Sequence, residues 1–452
     1  MTRIGAAAPV FFVEFPLHCN KGREAMNETK KERERVVILA VQLKSQGDFQ
    51  FQESLSETVS LSKTAGLEVV GQYVQNRDRS DAKTYLGKGR IEEIIEEVDR
   101  EDIAFDVIIV NDELTTSQSR HLSDIFDAKI IDRTQLILDI FAQRAKSREG
   151  QLQVELAQNE YLLPRLSGHG VSLSRLGGGI GTRGPGETKL ETNRRHIRSR
   201  IHDIKVQLED IKAHRERYRV QRKKSQVFQI ALVGYTNAGK SSWFNQLTQS
   251  ETFEEDLLFA TLDPKSKVMQ INEGFRVILS DTVGFIQQLP THLIEAFSST
   301  LEEAKYADVL IHVVDRSHPN YEGHIKTVNH LLASLDMTTI PTVMLLNKSD
   351  LVDGDVQEES HDTLVVSSRK HEDIDRVKHF ISRFIKSQMT PYQLDIDTNQ
   401  GKAISQLKED TMVSKIDYDE ERDIYHMTGF ERTDSGTVNR IMKTEKSEVR
   451  DE

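Results

Sequence analysis

Alternating strand and helix signals predict an α/β chain whose central domain is a doubly wound sheet, and three observations carry that prediction. Gly234-Tyr235-Thr236-Asn237-Ala238-Gly239-Lys240-Ser241 fits G-x-x-x-x-G-K-[ST], the pattern of a phosphate-binding loop. The apolar run Val227–Val233 before it reads as a buried strand, and Ser242–Thr248 behind it starts a helix. Further β-rich runs recur at Phe275–Ser280, Val309–Val314, Thr342–Leu346 and Thr363–Val366, with helical segments between them. Strands alternating with helices in this way place ligands at the C-terminal ends of the strands.

The chain has 452 residues, enough for about three domains. It is 37% hydrophobic and 29% charged, the composition of a globular protein. The net charge of −12 argues against a generally basic nucleic-acid coat but not against a local basic patch. A single cysteine, Cys19, excludes an intrachain disulfide and suits a reducing, cytoplasmic setting. No apolar run is long enough for a transmembrane helix. A monomer is expected, with peripheral membrane association left open.

Residues 1–33 read as an extension. Met26-Asn27-Glu28-Thr29 is expected to be the natural start, since Ala6–Phe15 is too short for a secretory signal. Residues 34–146 alternate strand and helix: Val36–Leu43, Glu53–Ala65, Leu67–Val74, Ile91–Val98, Phe105–Val110, Leu122–Phe126 and Lys129–Ile131. This predicts an N-terminal α/β domain. Its lone His121 reads as structural. Residues 147–225 form a helical linker. Gln151–Leu163 has apolar residues on one face, and Pro164 should end or bend that helix. Eight glycines lie between Ser167 and Thr188, a stretch that cannot pack a core and predicts a mobile loop. Glu191–Lys224 is helical in period and carries twelve arginines and lysines, from Arg194 to Lys224. Such a run is often only a solvated helix face. Beside a glycine loop that also holds Arg175 and Arg183, it suits RNA phosphates.

Residues 226–390 make the nucleotide domain, and 391–452 a small acidic α+β region. There Tyr392–Ile396 and Asp423–His426 look like strands, and Lys443–Glu452 looks disordered. The acid cluster Asp417–Asp423 lacks calcium-loop spacing and reads as solvated surface.

The chemistry rests on five segments. In the phosphate loop, glycines let backbone N–H groups close round phosphate oxygens. Lys240 neutralises the outer phosphates, and the Ser241 hydroxyl is placed to bind Mg²⁺. Phe259-Ala260-Thr261-Leu262-Asp263 places Thr261 to complete the Mg²⁺ shell as a switch segment closes. Asp281-Thr282-Val283-Gly284 ends a strand. Asp281 can hold Mg²⁺ through water, and the Gly284 N–H can sense a γ-phosphate. A second switch runs from Asp281 to about Pro290. Asn347-Lys348-Ser349-Asp350 follows the next strand, where Asp350 can accept the N1 and N2 protons of guanine, which adenine lacks. Ser367-Ser368-Arg369 can offer backbone N–H to guanine O6. Lys240, Thr261 and Gly284 are thus the expected catalytic groups, and Ser241 and Thr261 the metal ligands. Phe285 stands after Gly284 and cannot orient water, so hydrolysis needs another group, a bound cation or a partner. Asn237 could ligate K⁺ near the phosphates.

These residues resemble the HflX family of translational GTPases. The resemblance is carried by GYTNAGKS (234–241), FATLD (259–263), DTVGF (281–285) and NKSD (347–350). Outside those motifs it is carried by YLGKGR (85–90), LILDIFAQRA (136–145), EGQLQVELAQ (149–158), GGIGTRGPGET (178–188), LET (190–192) and DRSHPNY (315–321). It covers about residues 35–390. Ser242-Trp243 and Ser367-Ser368 depart from the commoner Thr-Leu and Ser-Ala. The resemblance implies GTP hydrolysis on the large ribosomal subunit and splitting of stalled or stressed ribosomes. It also implies that the glycine-rich loop, Gly177–Thr188, reaches toward the peptidyl transferase centre and its RNA. The expected protein is a Mg²⁺-dependent GTPase. The rival reading is a nucleotide-gated regulator that never touches a ribosome.

Overall fold

The structure, a computed structural model, is described for residues 33–166, 189–224, 227–249, 258–259, 261, 265–271, 275–286, 303–352, 359–433 and 435–448. The Met26 start, Cys19, the glycine-rich stretch with Arg175 and Arg183, Ala260, Leu262, Asp263 and the segment Gln287–Pro290 lie outside these residues.

The N-terminal domain runs β1 (Arg35–Leu43), α1 (Asp48–Thr64), β2 (Glu68–Arg77), α2 (Lys88–Arg100), β3 (Val107–Val110), α3 (Thr116–Phe126), β4 (Lys129–Asp132) and α4 (Arg133–Arg144). The four strands form a parallel sheet in the order β2-β1-β3-β4. Val36–Val41 are buried without interruption because β1 is central and covered on both faces. Ile91, Ile94 and Leu122 fill one face, from α2 and α3. Phe51, Leu55, Ile137 and Phe141 fill the other, from α1 and α4. Capping fixes the helix starts. Thr115 and Gln118 form a reciprocal box on α3, and Asp132 accepts the Gln135 N–H at the head of α4. His121 is half-buried and turned onto the backbone oxygen of Ser117 at 2.6 Å.

Two helices follow. In α5 (Arg148–Arg165), Pro164 falls in the last turn, where the helix ends. The next helix, α6 (Lys189–Lys224), is 36 residues long. Arg215 pairs with Glu149 at the start of α5, and Arg200 pairs with Glu155 further along, so the two helices run antiparallel.

The nucleotide domain holds β5 (Phe228–Val233), α7 (Lys240–Thr248), β6 (Lys265–Gln270), β7 (Arg276–Asp281), β8 (Val309–Asp315), α8 (Tyr321–Ser334), β9 (Thr342–Asn347), β10 (Thr363–Val365) and α9 (His371–Ser387). The sheet order is β10-β9-β8-β5-β7-β6. All pairs are parallel except β6 with β7. Strand β6 was not expected from the sequence: it lies at the edge and buries only Met269, so its residues carry no apolar run. Trp243 on α7 is fully buried in the core beneath the sheet.

The C-terminal domain has β11 (Thr390–Asp397), α10 (Gly401–Asp410), β12 (Met412–Asp419), β13 (Ile424–Glu431) and α11 (Thr437–Glu448). Its antiparallel sheet is ordered β11-β13-β12. The disorder expected over Lys443–Glu452 is corrected as far as Glu448, through which α11 continues, and residues 449–452 lie outside the described residues. The acid cluster is taken up locally, with Asp417 paired to Lys415 and Asp419 accepting the N–H groups of Glu421 and Arg422. Arg432 ties this domain to Asp308 of the nucleotide domain at 2.7 Å. Among the described residues no helix is long and apolar enough to cross a membrane.

Candidate functional site

The phosphate loop turns out of β5 at Gly234, whose φ is +150°. A Cβ there would sit 2.2 Å from the Val313 carbonyl oxygen. Gly239, at φ +95°, would drive a Cβ to 2.1 Å from Asn347 Nδ2. Only glycine fits either position. Lys240 is 6% exposed, and its Nζ donates to the Gly234 and Tyr235 carbonyls at 3.1 and 2.8 Å. Burial pushes its ammonium down to about 8, against the pull of Asp281. Asn237 stands exposed at the loop tip with φ +58°.

Three oxygen-bearing side chains converge behind the loop. Ser241 Oγ and Thr261 Oγ1 donate to Asp281 Oδ2 at 2.8 and 2.7 Å and lie 2.9 Å from each other. Asp281 Oδ1 is buried with no hydrogen-bond partner among the described residues. Burial holds the Asp281 carboxyl above its usual range, with Lys240 opposing. An all-oxygen donor set with an orphaned carboxylate oxygen fits a hard divalent cation such as Mg²⁺. Gly284 lies against the same loop: a Cβ on it would come within 2.9 Å of Lys240 Nζ.

The base side is assembled from β9 and β10. Asn347 Nδ2 donates to Ala238 O at 2.8 Å, while Asn347 Oδ1 accepts the Ser368 N–H at 3.0 Å. One buried amide therefore ties the phosphate loop to the Ser367-Ser368-Arg369 loop. Asp350 accepts Ser367 Oγ at 2.6 Å, and Ser367 N donates to Asp373 at 2.8 Å. Ser349 N donates to the Val366 carbonyl at 3.2 Å. Lys348, at φ +61°, pairs with Asp315 at 2.7 Å. Asp350 thus stands at the mouth of a pre-formed cradle.

Several expected residues present their side chains elsewhere. Thr282 Oγ1 donates to Leu232 O at 2.6 Å and braces the sheet. The Phe259 ring meets Phe141 edge-on, 4.6 Å between centroids, and Val283 and Ile286 join it in the core of the N-terminal domain. Leu258 N donates to Thr64 Oγ1 on α1 at 3.3 Å. Tyr235 O–H donates to Glu57 of α1 at 2.5 Å, and its ring stacks on His324. The N-terminal domain therefore grips both switch segments and the phosphate loop. Phe285 is 3% exposed, packed with Ala231 and Val233, and its backbone pairs with Gly234 and Thr236 at 3.1 and 2.7 Å.

Glu57, His324 and His312 have no signature in the sequence, because each acts through a partner distant in the chain. His312 lies on β8, where burial and, less strongly, Lys240 push its imidazole down to about 4. The folded state then binds this proton more weakly than the unfolded chain does. Its neutral form supports folding fully above about pH 6.5, and that support is lost as pH falls toward 4. His312→Gln should make the stability difference between pH 7 and pH 4 smaller by about 3 kcal/mol. Urea unfolding of both proteins at the two pH values checks this, and equal differences would count against it.

A phosphate loop, a hydroxyl–carboxylate cluster and an Asn-Lys-x-Asp base cradle on a doubly wound sheet define a phosphate-loop GTPase. Three family models match along the chain. "GTP-binding GTPase N-terminal" covers residues 52–142, "GTP-binding GTPase Middle Region" residues 144–222, and "50S ribosome-binding GTPase" residues 229–348. The chain is 49% identical over 401 residues to the GTPase HflX of Alkalihalophilus pseudofirmus, spanning 88% of this chain and 94% of that one. It is 45% identical over 397 residues to the GTPase HflX of Caldanaerobacter subterraneus, spanning 88% and 91%. A crystal structure of a GTP-binding protein from Sulfolobus solfataricus in complex with GDP aligns at 25% identity and a TM-score of 0.43, covering 78% and 99% of the two chains. The chain belongs to the HflX family of GTPases.

Proposed function

We propose that this GTPase binds the large ribosomal subunit in the cytoplasm and splits, rescues or recycles ribosomes under stress, with hydrolysis stimulated by the ribosome. The observation that carries this reading is α6. Arg195, Arg198, Lys212 and Arg217 stand exposed along it in a chain of net charge −12. A positive element on an acidic protein selects for polyphosphate surfaces. The match to a family described as ribosome-binding GTPases supports the same partner.

Mg²⁺ would be held by Ser241 and Thr261, with Asp281 behind them, and would neutralise charge on the β- and γ-phosphate oxygens. Lys240 would leave the Gly234 and Tyr235 carbonyls for the phosphates and regain full charge there. The Gly284 N–H would face the γ-phosphate. Phe285 turns into the core, so no side chain at that position can align water, and intrinsic turnover should be slow. Asn237 would hold K⁺. Replacing K⁺ with Na⁺ should slow hydrolysis about tenfold or more if the cation supplies charge stabilisation. Equal rates in the two salts would remove Asn237 from that role.

Gradient sedimentation with ribosomes and a non-hydrolysable GTP analogue tests the main reading. Co-migration with the large subunit and release of free subunits are expected. Absence of both would leave a GTPase acting elsewhere.

A further inference from the structure

Three chemistry-bearing side chains outside the nucleotide site meet where α1 faces the segment after β8. Glu53 Oε1 lies 2.9 Å from His324 Nε2 and 3.9 Å from His318 Nδ1. One ligating atom from each of the three lies within 4.8 Å of the others. The Glu53 and His324 side chains are 8% and 7% exposed, and His318 opens to solvent at 36%. Glu53 Oε2 accepts Asn320 Nδ2 at 2.7 Å, which fixes the carboxylate plane. His324 Nδ1 is buried without a hydrogen-bond partner among the described residues.

We propose that Glu53, His318 and His324 form a binding site for a divalent transition-metal ion, with Zn²⁺ the best match, that clamps the N-terminal domain to the nucleotide domain. Zn²⁺ bonds to nitrogen and oxygen are about 2.0–2.2 Å long, so ligand atoms in a tetrahedral site stand about 3.3–3.5 Å apart. The observed 2.9 and 3.9 Å separations from Glu53 bracket that edge, and all three ligand atoms lie within 4.8 Å of one another, so small side-chain shifts bring them to it. Two imidazoles are borderline donors, and with one carboxylate they favour Zn²⁺ over Mg²⁺ or Ca²⁺. The exposed side of His318 leaves the fourth position to water.

Protons balance without net release. His324 enters as the imidazole whose Nε2–H donates to Glu53 Oε1 at 2.9 Å. A metal on Nε2 replaces the bond to Glu53, and the ring proton moves to Nδ1. That nitrogen has no acceptor among the described residues, and the missing orienting bond lowers affinity roughly 10–100-fold relative to a fully supported site. At His318 the metal displaces the Asn320 N–H, now 3.1 Å from Nδ1.

The clamp would act on the phosphate loop directly. The His324 ring stacks on Tyr235 at 3.8 Å between centroids and 5° between planes. Fixing His324 fixes Tyr235, and with it the start of the phosphate loop.

The test uses the full chain, stripped with a chelator and then held in excess Mg²⁺ and GDP so that the nucleotide site is filled. Co²⁺ is the probe. One Co²⁺ per chain with tetrahedral visible bands, displaced by Zn²⁺, is expected. Glu53→Gln and His318→Ala should each weaken binding about tenfold or more. His318 is partly exposed, so metal-free His318→Ala should keep the parent's thermal midpoint. Zn²⁺ should raise that midpoint in the parent and not in the variant. Absence of tetrahedral bands, or bands and a Zn²⁺ shift that survive both substitutions, overturns the proposal. GDP affinity, measured alongside, reports separately on the nucleotide site.

Discussion

Asp350→Asn should exchange guanine for xanthine as the preferred base. GTP affinity is expected to fall about 10²–10⁴-fold, and xanthosine triphosphate should become the better ligand. The carboxylate is held at the cradle mouth by Ser367 Oγ at 2.6 Å, with Arg369 3.7 Å away. Two charge-assisted bonds to guanine N1 and N2, each about 1.5–3 kcal/mol, would be lost in the amide. Asparagine can instead donate to the extra carbonyl of xanthine. Titration with fluorescent guanosine, xanthosine and adenosine nucleotides measures the exchange. An unchanged order of affinities would remove Asp350 from base selection.

The second large effect is expected at Phe141. Its ring is fully buried and lies edge-on to Phe259, two residues before Thr261. Phe141→Ala should cost about 3–5 kcal/mol of stability through lost burial and the cavity left behind. Phe259→Ala should cost a similar amount. A double-mutant cycle should give a coupling of about 0.5–1.5 kcal/mol, the added worth of an edge-to-face pair. Urea unfolding of the four proteins decides this. Additive losses would mean that the switch segment merely lies near the N-terminal domain.

Phe259 also sits at φ +55°, a left-handed conformation that a bulky residue rarely adopts. The buried ring holds that turn in place. The Thr261 hydroxyl, two residues on, is thereby presented to Ser241 and Asp281 from the N-terminal domain's side.

Much of this site could be read from the sequence because its chemistry is local. Gly234 and Asp281 sit at strand ends, Gly239 at the head of α7 and Asp350 just beyond β9, each in a short motif whose spacing dictates its geometry. The central strands were equally legible, since β1 and β8 are buried on both faces and are therefore mostly apolar, with His312 the exception inside β8. Edge elements were not: β6 buries one side chain and β12 alternates weakly, so neither has a hydrophobic pattern to find. The contacts between domains were invisible for a different reason. Glu57 meets Tyr235 across 178 residues, and Glu53 meets His324 across 271. Each is an unremarkable polar residue on a helix until the fold supplies its partner.

The long helix α6 has one more consequence. At 1.5 Å per residue its 36 residues span about 54 Å, with one end at the entry to β5 and the other at Lys189. A helix of that length behaves as a stiff rod. If the nucleotide domain turned by about 10° at the β5 end, the far tip would sweep about 9 Å. A turn at the β5 end would then reach the tip enlarged by the length of the arm, with α5, paired to it through Glu149 and Glu155, as the brace that keeps it from bending.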